Sequence, residues 1–395
     1  MQRRGRILCT ATALVLLAAM SATARQDIEV LPEEARLVPE EAFGTRVLPA
    51  PTPHWIYVLD VAFDNLVASR VNIFDGDSGD FLGVLHSGYV PNVLPAPNRR
   101  EVYVVETYWT HGTRGRREDL VTVFDARTLE PVAEIPLPQG RALIVSKQPV
   151  AQLSDDGRFL LSFNLSPATS VSVVDLEARA YVGEIEAPGC SLVYPTGARS
   201  FSMLCPDGSL ADVRFDASGT AEVVDNDPFF DAENDPVFEH AARDAAGRTW
   251  YFVSYDGRIH EVGYDARGRT APRESWSVLT EADAAEGWRP GGWQLVARHP
   301  GNGHLYLLMH KGPKWSHKWP GEEIWVLDPE ANRRVARIPL EEPAVSLAIT
   351  GDDSPLLVTL TDTGVLSVLD PGTGERRRRI EGAGVTPFLL DSFAP

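Results

Sequence analysis

Cysteine is scarce in this chain, with three among 395 residues. That excludes a scaffold stapled by many disulfides, and the lack of a Cys-x-x-Cys-His run excludes covalent c-type haem. Positive charge is short as well: 37 Lys and Arg stand against 55 Asp and Glu, a net charge of -18. Phosphate binding needs clustered cations, so nucleic acid is not an expected partner. There is no Gly-x-Ser-x-Gly elbow of a serine hydrolase. The histidines are scattered, and none forms a helical His-x-x-x-His pair with a glutamate, so no metal site is expected. After the first two dozen residues no apolar run is long enough to span a bilayer.

The one long apolar run lies at the N-terminus. Arg3, Arg4 and Arg6 precede a stretch of apolar and small residues from Ile7 to Met20, and Ala22-Thr23-Ala24 offers a small-x-small cleavage site. The pattern predicts a signal peptide over residues 1–24, removed on export to the periplasm. Arg6 stands where a twin-arginine motif wants an apolar residue, which favours the general export route. An uncleaved anchor is the alternative, against which the shortness of the run counts. Cleavage removes three arginines and Cys9 and leaves Cys190 and Cys205. In an oxidising compartment that pair reads as one disulfide, worth about 3 kcal/mol for a loop of this length; two buried free thiols are the alternative.

Gly 32 and Pro 30 point to many turns and short strands. One signature recurs: an alternating apolar strand that ends in aspartate. It closes at Asp75, Asp125, Asp175, Asp216, Asp265, Asp328 and Asp370. Aspartate accepts hydrogen bonds from backbone amides two residues on, which starts a turn. A further strand follows most of these turns, as in Phe81–Leu85 and Val335–Pro339, and another precedes each signature, as in Trp55–Leu59 and Leu305–Leu308. Four strands per repeat of this length is the propeller unit. The expected fold is therefore all-β, a seven-bladed β-propeller over residues 51–395, with residues 25–50 as an N-terminal arm. The terminal stretch Val385–Leu390 is expected to pair with the first blade and close the ring. An open β-solenoid is the alternative; its repeat is shorter and more regular.

Two segments break the rhythm before Asp328. Thr280 is followed by Glu281 and Asp283, which predicts a short capped helix. Lys311–Pro320 is a basic-aromatic loop. Insertions of this kind sit on propeller rims, where binding happens. The acidic pairs Asp155-Asp156, Glu322-Glu323 and Asp352-Asp353 read as solvated turn caps. Arg376 to Arg379 reads as a partly exposed strand, with a docking patch for an acidic partner as the sharper alternative. Glu118 and Asp119 read as a solvated hairpin tip beside Arg114, Arg116 and Arg117. None of this makes a catalytic set.

Several stretches resemble the heavy subunit of the tryptophan-tryptophylquinone amine dehydrogenases, the methylamine and aromatic amine dehydrogenases. They are Val104–Trp109 with Gly115–Pro131, Phe163–Ala168, Cys190 with Tyr194-Pro195-Thr196, Phe201–Leu210, and Leu279–Asp283 with Gly287–Gln294. The resemblance covers nearly the whole mature chain. It implies a Cys190–Cys205 disulfide and a periplasmic complex of two heavy and two light chains. The tryptophan tryptophylquinone would lie on the light subunit, so this chain would carry no cofactor, no metal and no catalytic residue. The complex would oxidise a primary amine to aldehyde and ammonia and pass electrons to a blue copper protein of the amicyanin or azurin kind.

The resemblance also implies an aromatic residue from the first blade at the substrate channel. Phe63 is the available aromatic and Asn65 the alternative position; Phe63 as core is the plain alternative. Trp288, Arg289 and Trp293 are candidates for the light-subunit face, with Trp315 and Trp319 on the basic loop, since Trp and Arg dominate interface hot spots. Tryptophan in a propeller is also often core. Two rival classes remain: a stand-alone propeller hydrolase such as a lactonase, and a non-enzymatic interaction propeller of the periplasm.

Overall fold

The computed structural model describes residues 47–138 and 140–393. The expected signal peptide, 1–24, and most of the expected arm, 25–50, lie outside these residues. Leu48, counted with the arm, is buried; its N–H donates to the Arg127 carbonyl at 2.9 Å. No helix among the described residues is long and apolar enough to cross a membrane.

The chain forms a seven-bladed propeller of antiparallel sheets. Blade 1 takes Trp55–Asp60, Arg70–Asp75 and Phe81–His86, and its innermost strand is Pro387–Asp391 from the other end of the chain. Blades 2 to 7 follow in chain order over residues 92–137, 151–186, 191–225, 242–277, 288–344 and 346–380. The expected closure is thus what the chain does: Val58 pairs with Leu390 and Leu59 with Leu389. A closed ring leaves only short edges open to other chains. Each blade buries its two faces against its neighbours. Ile56, Val58 and Phe74 of blade 1, for instance, pack with Leu356, Val358 and Leu366 of blade 7. Each such side chain contributes about 1.5–3 kcal/mol by leaving water.

The seven aspartates act as their positions predict. In blade 2 Asp125 Oδ1 accepts from the Arg127 and Thr128 amides at 2.9 and 2.8 Å, and in blade 7 Asp370 Oδ1 accepts from Gly372 and Thr373, both at 2.9 Å. The other five bind the amides that follow them in the same way. These amide bonds hold Asp125 and Asp370 below the ordinary carboxylate range. The short helix also forms, over Glu281–Ala285, with Thr280 and Asp283 in a capping box. The disulfide joins Cys190 and Cys205. They flank Ser191 and Leu204, partners in the ladder of blade 4, so the pairing register brings them face to face.

Two sequence expectations are corrected. Glu322-Glu323 is in the strand Gly321–Asp328, not a turn, and Glu323 binds Arg337 and the Trp325 indole N–H. Asp119 is buried, not part of a solvated tip. It accepts from Thr107 Oγ1, Arg117 Nε and the Gly140 and Arg141 amides, and a run of charges in sequence does not reveal that gathering. The arginine run, in contrast, is an exposed strand, Arg376–Ile380, whose side chains reach Glu341, Glu342, Asp370 and Glu381.

Two contacts cross the seam between blades 7 and 1. Asp60, fully buried, accepts from Arg70 Nε at 2.9 Å and from the amides of Ala62, Val385 and Thr386 at 3.3, 3.0 and 2.9 Å. On the opposite rim His54 lies 2.8 Å from Asp77 and 3.1 Å from Asp352, one carboxylate on each ring nitrogen. Only the imidazolium donates to both. Burial alone would depress His54, but the hydrogen bonds and charges of Asp77 and Asp352 outweigh it and raise it above 6.5. A raised cation adds stability that is full below the unfolded pKa of 6.5 and fades as pH rises through the folded value. The melting temperature of His54→Ala should therefore fall furthest below that of the parent under pH 6.5. A difference that is flat with pH would refute the latch.

Candidate functional site

Strand order fixes two unlike rims. In every blade the hairpin between the third and fourth strands, with its aspartate, leaves at one rim. The loop between the second and third strands, and the link to the next blade, leave at the other, here called the upper rim. The large apolar side chains left exposed are distributed unevenly between them. Phe63, Tyr108, Val145, Leu165, Trp315, Trp319 and Val385 belong to upper-rim loops or strand ends, while Phe81, Val132, Val223 and Val335 lie on the outermost strands and Val47 precedes the first blade. Exposed apolar residues gathered on one face mark a contact surface.

The upper rim carries a connected aromatic crescent. Phe63 meets Phe388 edge-on with centroids 5.1 Å apart, and Phe388 meets Trp293 at 4.9 Å. The Lys318 ammonium lies 4.7 Å from the Trp293 ring. Next to it His317 stacks on Tyr255 at 4.0 Å, and Tyr255 meets Trp315 at 6.1 Å. Blades 1, 6 and 5 contribute. Local sequence explains how blade 6 reaches in. A Cβ at Gly291 would lie 2.3 Å from His310 Nδ1, and Gly292 has φ 114, so the Gly-Gly step lets the chain fold tightly against His310 and deliver Trp293.

Phe63 lies on a 3-10 turn, Phe63–Ala68, and is 44% exposed, which sets aside its reading as core. Its amide donates to Thr386 Oγ1 at 2.8 Å. Asn65, also exposed, breaks the turn with φ -151 and makes no ring contact. Trp315 and Trp319 are 55% and 51% exposed. Trp315 has φ 73, a left-handed conformation that costs a bulky residue about 1–3 kcal/mol and is typically kept where a site requires it. Arg289 is half-buried and paired with Asp256 at 2.6 Å. Trp288 is a correction: it is 4% exposed, packed on Trp325 and overlaid by Lys311 and Arg337, so it offers a partner almost nothing. The glycine-rich run places Trp288 on the sheet and Trp293 at its mouth, a difference that sequence spacing does not carry.

Sequence reasoning reached His317 only as part of the basic-aromatic loop, and it missed Phe388, Tyr255, Lys147 and Glu239. Lys147 and Glu239 pair where the axial channel opens beside Trp293. These residues are far apart in the chain and share no motif. Among the described residues no group of three or more His, Cys, Asp or Glu stands where it could hold a metal ion. The crescent is apolar, aromatic and edged with ion pairs, a surface suited to desolvated contact with another protein.

Comparison with known proteins agrees with this picture. The model of the methylamine dehydrogenase heavy chain family matches residues 53–392. The methylamine dehydrogenase heavy chain of Paracoccus versutus is 34% identical over 346 residues, covering 87% of this chain and 80% of that one. The heavy chain of Methylophilus methylotrophus is 30% identical over 345 residues, 87% and 84% of the two. Among solved structures, dihydro-heme d1 dehydrogenase NirN is 17% identical with a TM-score of 0.56, covering 89% of this chain and 78% of that one. A putative 6-phosphogluconolactonase from Bacteroides fragilis is 13% identical with a TM-score of 0.57, covering 85% and 97%. At such identities these two speak for the propeller alone. The family match spans every blade, and with the disulfide and the closed ring it establishes that the chain belongs to the methylamine dehydrogenase heavy chain family.

Proposed function

We propose that this chain is the non-catalytic large subunit of a periplasmic quinoprotein amine dehydrogenase. The observation that carries the reading is the concentration of exposed aromatic and apolar side chains on one rim of a chain of this family. A light subunit bound there would cover the crescent. An obligate contact of this kind buries on the order of 2,000–5,000 Å². The light subunit's tryptophan tryptophylquinone supplies the redox chemistry on a primary amine, and a small blue copper protein takes the electrons. This chain's part is to hold the light subunit, to line the amine's path with Phe63 and Trp293, and to keep water out. Dry walls strengthen the electrostatics of the enclosed site. The complex would be two heavy and two light chains.

Purification of the native protein tests this. The expected result is co-purification with a small exported chain whose visible quinone absorbance bleaches on adding methylamine or an aromatic amine. A lone, colourless chain would count against it. A stand-alone hydrolase predicts turnover by the purified chain alone.

A further inference from the structure

The axis of the ring is a polar channel. Gln148 and His240 line a space of about 200 Å³ with Gln152, Tyr194 and Arg243. The same two residues line an adjoining space of about 200 Å³ with Gln294, Arg298 and Asp391. Towards the upper rim the way narrows to about 20 Å³ beside Lys147, Glu239 and Trp293.

The cations along the channel are paired within the protein. Lys147 bonds Glu239, Arg243 lies 2.5 Å from Asp155, and Arg298 lies 2.8 Å from Asp244. Asp391 forms no ion pair among the described residues, although Arg243 and Arg298 line the same space; its Oδ1 accepts from Gln148 Nε2 at 2.9 Å. Gln148 spends its amide nitrogen on Asp391 and on the Leu390 carbonyl at 3.2 Å, and its Oε1 receives no donor among the described residues. His240 is kept neutral by burial, which lowers it to about 4. Its Nε2 lies 2.9 Å from the Val296 carbonyl, so Nε2 carries the proton and Nδ1 is an acceptor. Among the described residues the channel thus holds one carboxyl without an ion-pair partner and two acceptors without donors.

We propose that the axial channel binds a small ammonium-type cation, ammonium itself or a primary alkylammonium, with Asp391 as counter-ion and Gln148 Oε1 and His240 Nδ1 as acceptors. Gln148, His240 and Asp391 line one space, so an N–H donor set entering it has all three within the same cavity. Burial pushes Asp391 up to about 8 against the pull of the Gln148 hydrogen bond. The empty site therefore holds a proton on Asp391 at neutral pH. Binding forms the carboxylate–ammonium pair and releases that proton to solvent. The site belongs to this chain alone, so it stands or falls independently of the light-subunit reading.

The test is calorimetric titration of the full mature chain with ammonium chloride, in two buffers of different protonation heat. Tetramethylammonium chloride, which has no N–H, is the control at equal ionic strength. The expected result is saturable ammonium binding with proton release, and no binding of the control. Asp391→Asn should lose affinity tenfold or more and lose the proton release. A second measurement is independent of how that variant folds: crystals of the parent soaked in 3-bromopropylammonium bromide should show an anomalous peak beside Asp391 that crystals soaked in sodium bromide lack. Equal responses to the two salts, full binding by Asp391→Asn, or no bromine peak beside Asp391 with the alkylammonium would overturn the proposal.

Discussion

Asp60→Ala is expected to destabilise the chain by about 3–5 kcal/mol. The carboxylate is fully buried and serves the Arg70 guanidinium and three amides, two of which belong to the segment that closes the ring. Alanine would leave the guanidinium half-covered without its counter-ion, and the Val385 and Thr386 amides without an acceptor. The closing strand should then detach first. Urea unfolding would read the loss, and limited proteolysis should cut near residues 385–391 at concentrations of protease that spare the parent. The Phe63 turn, tied to Thr386, should loosen with it. A cost under about 1 kcal/mol would place Asp60 among ordinary surface positions and remove it from the seam.

The second large effect separates two kinds of tryptophan. Trp315→Ala and Trp319→Ala should change the stability of the isolated chain by no more than about 0.5 kcal/mol, because both side chains are over half exposed. In the complex each should weaken capture of the light subunit by about 2 kcal/mol, roughly thirty-fold in Kd. Trp288→Ala should do the reverse. It should cost about 3–5 kcal/mol of folding stability by opening a cavity against Trp325, with light-subunit affinity little altered in molecules that remain folded. Denaturant midpoints and surface plasmon resonance on the same set of variants read both quantities. Tight capture by the Trp315→Ala, Trp319→Ala double variant would move the light subunit off this rim.

These contrasts mark how far the residues could be read in order. Asp125 and Asp370 were legible as turn starters because an aspartate and the amides it binds are two and three positions apart. Thr280 and Asp283 were legible as a cap for the same reason. The Cys190–Cys205 bond was legible because only two cysteines lie beyond the expected signal peptide. Trp288 and Trp293 were not separable: they share a motif, and the turn at Gly291 and Gly292 that sends one inward and the other to the channel mouth depends on contact with His310 and Val345. Asp119 was misread because its partners Thr107, Gly140 and Arg141 come from two separate stretches, a strand of blade 2 and its exit loop.

Sequence alone determined the number of blades, the aspartate turn in each, the helix cap and the strand that returns to the start. All of these follow from hydrophobic alternation and from hydrogen bonds between near neighbours. Tertiary structure decided which rim is aromatic, which tryptophans face water, and that Asp60 meets Val385 and Gln148 meets Asp391. The physical reason is ring closure. Pairing Trp55–Asp60 with Pro387–Asp391 sets the register of the whole circle, and only within that register do residues hundreds of positions apart come within hydrogen-bond reach.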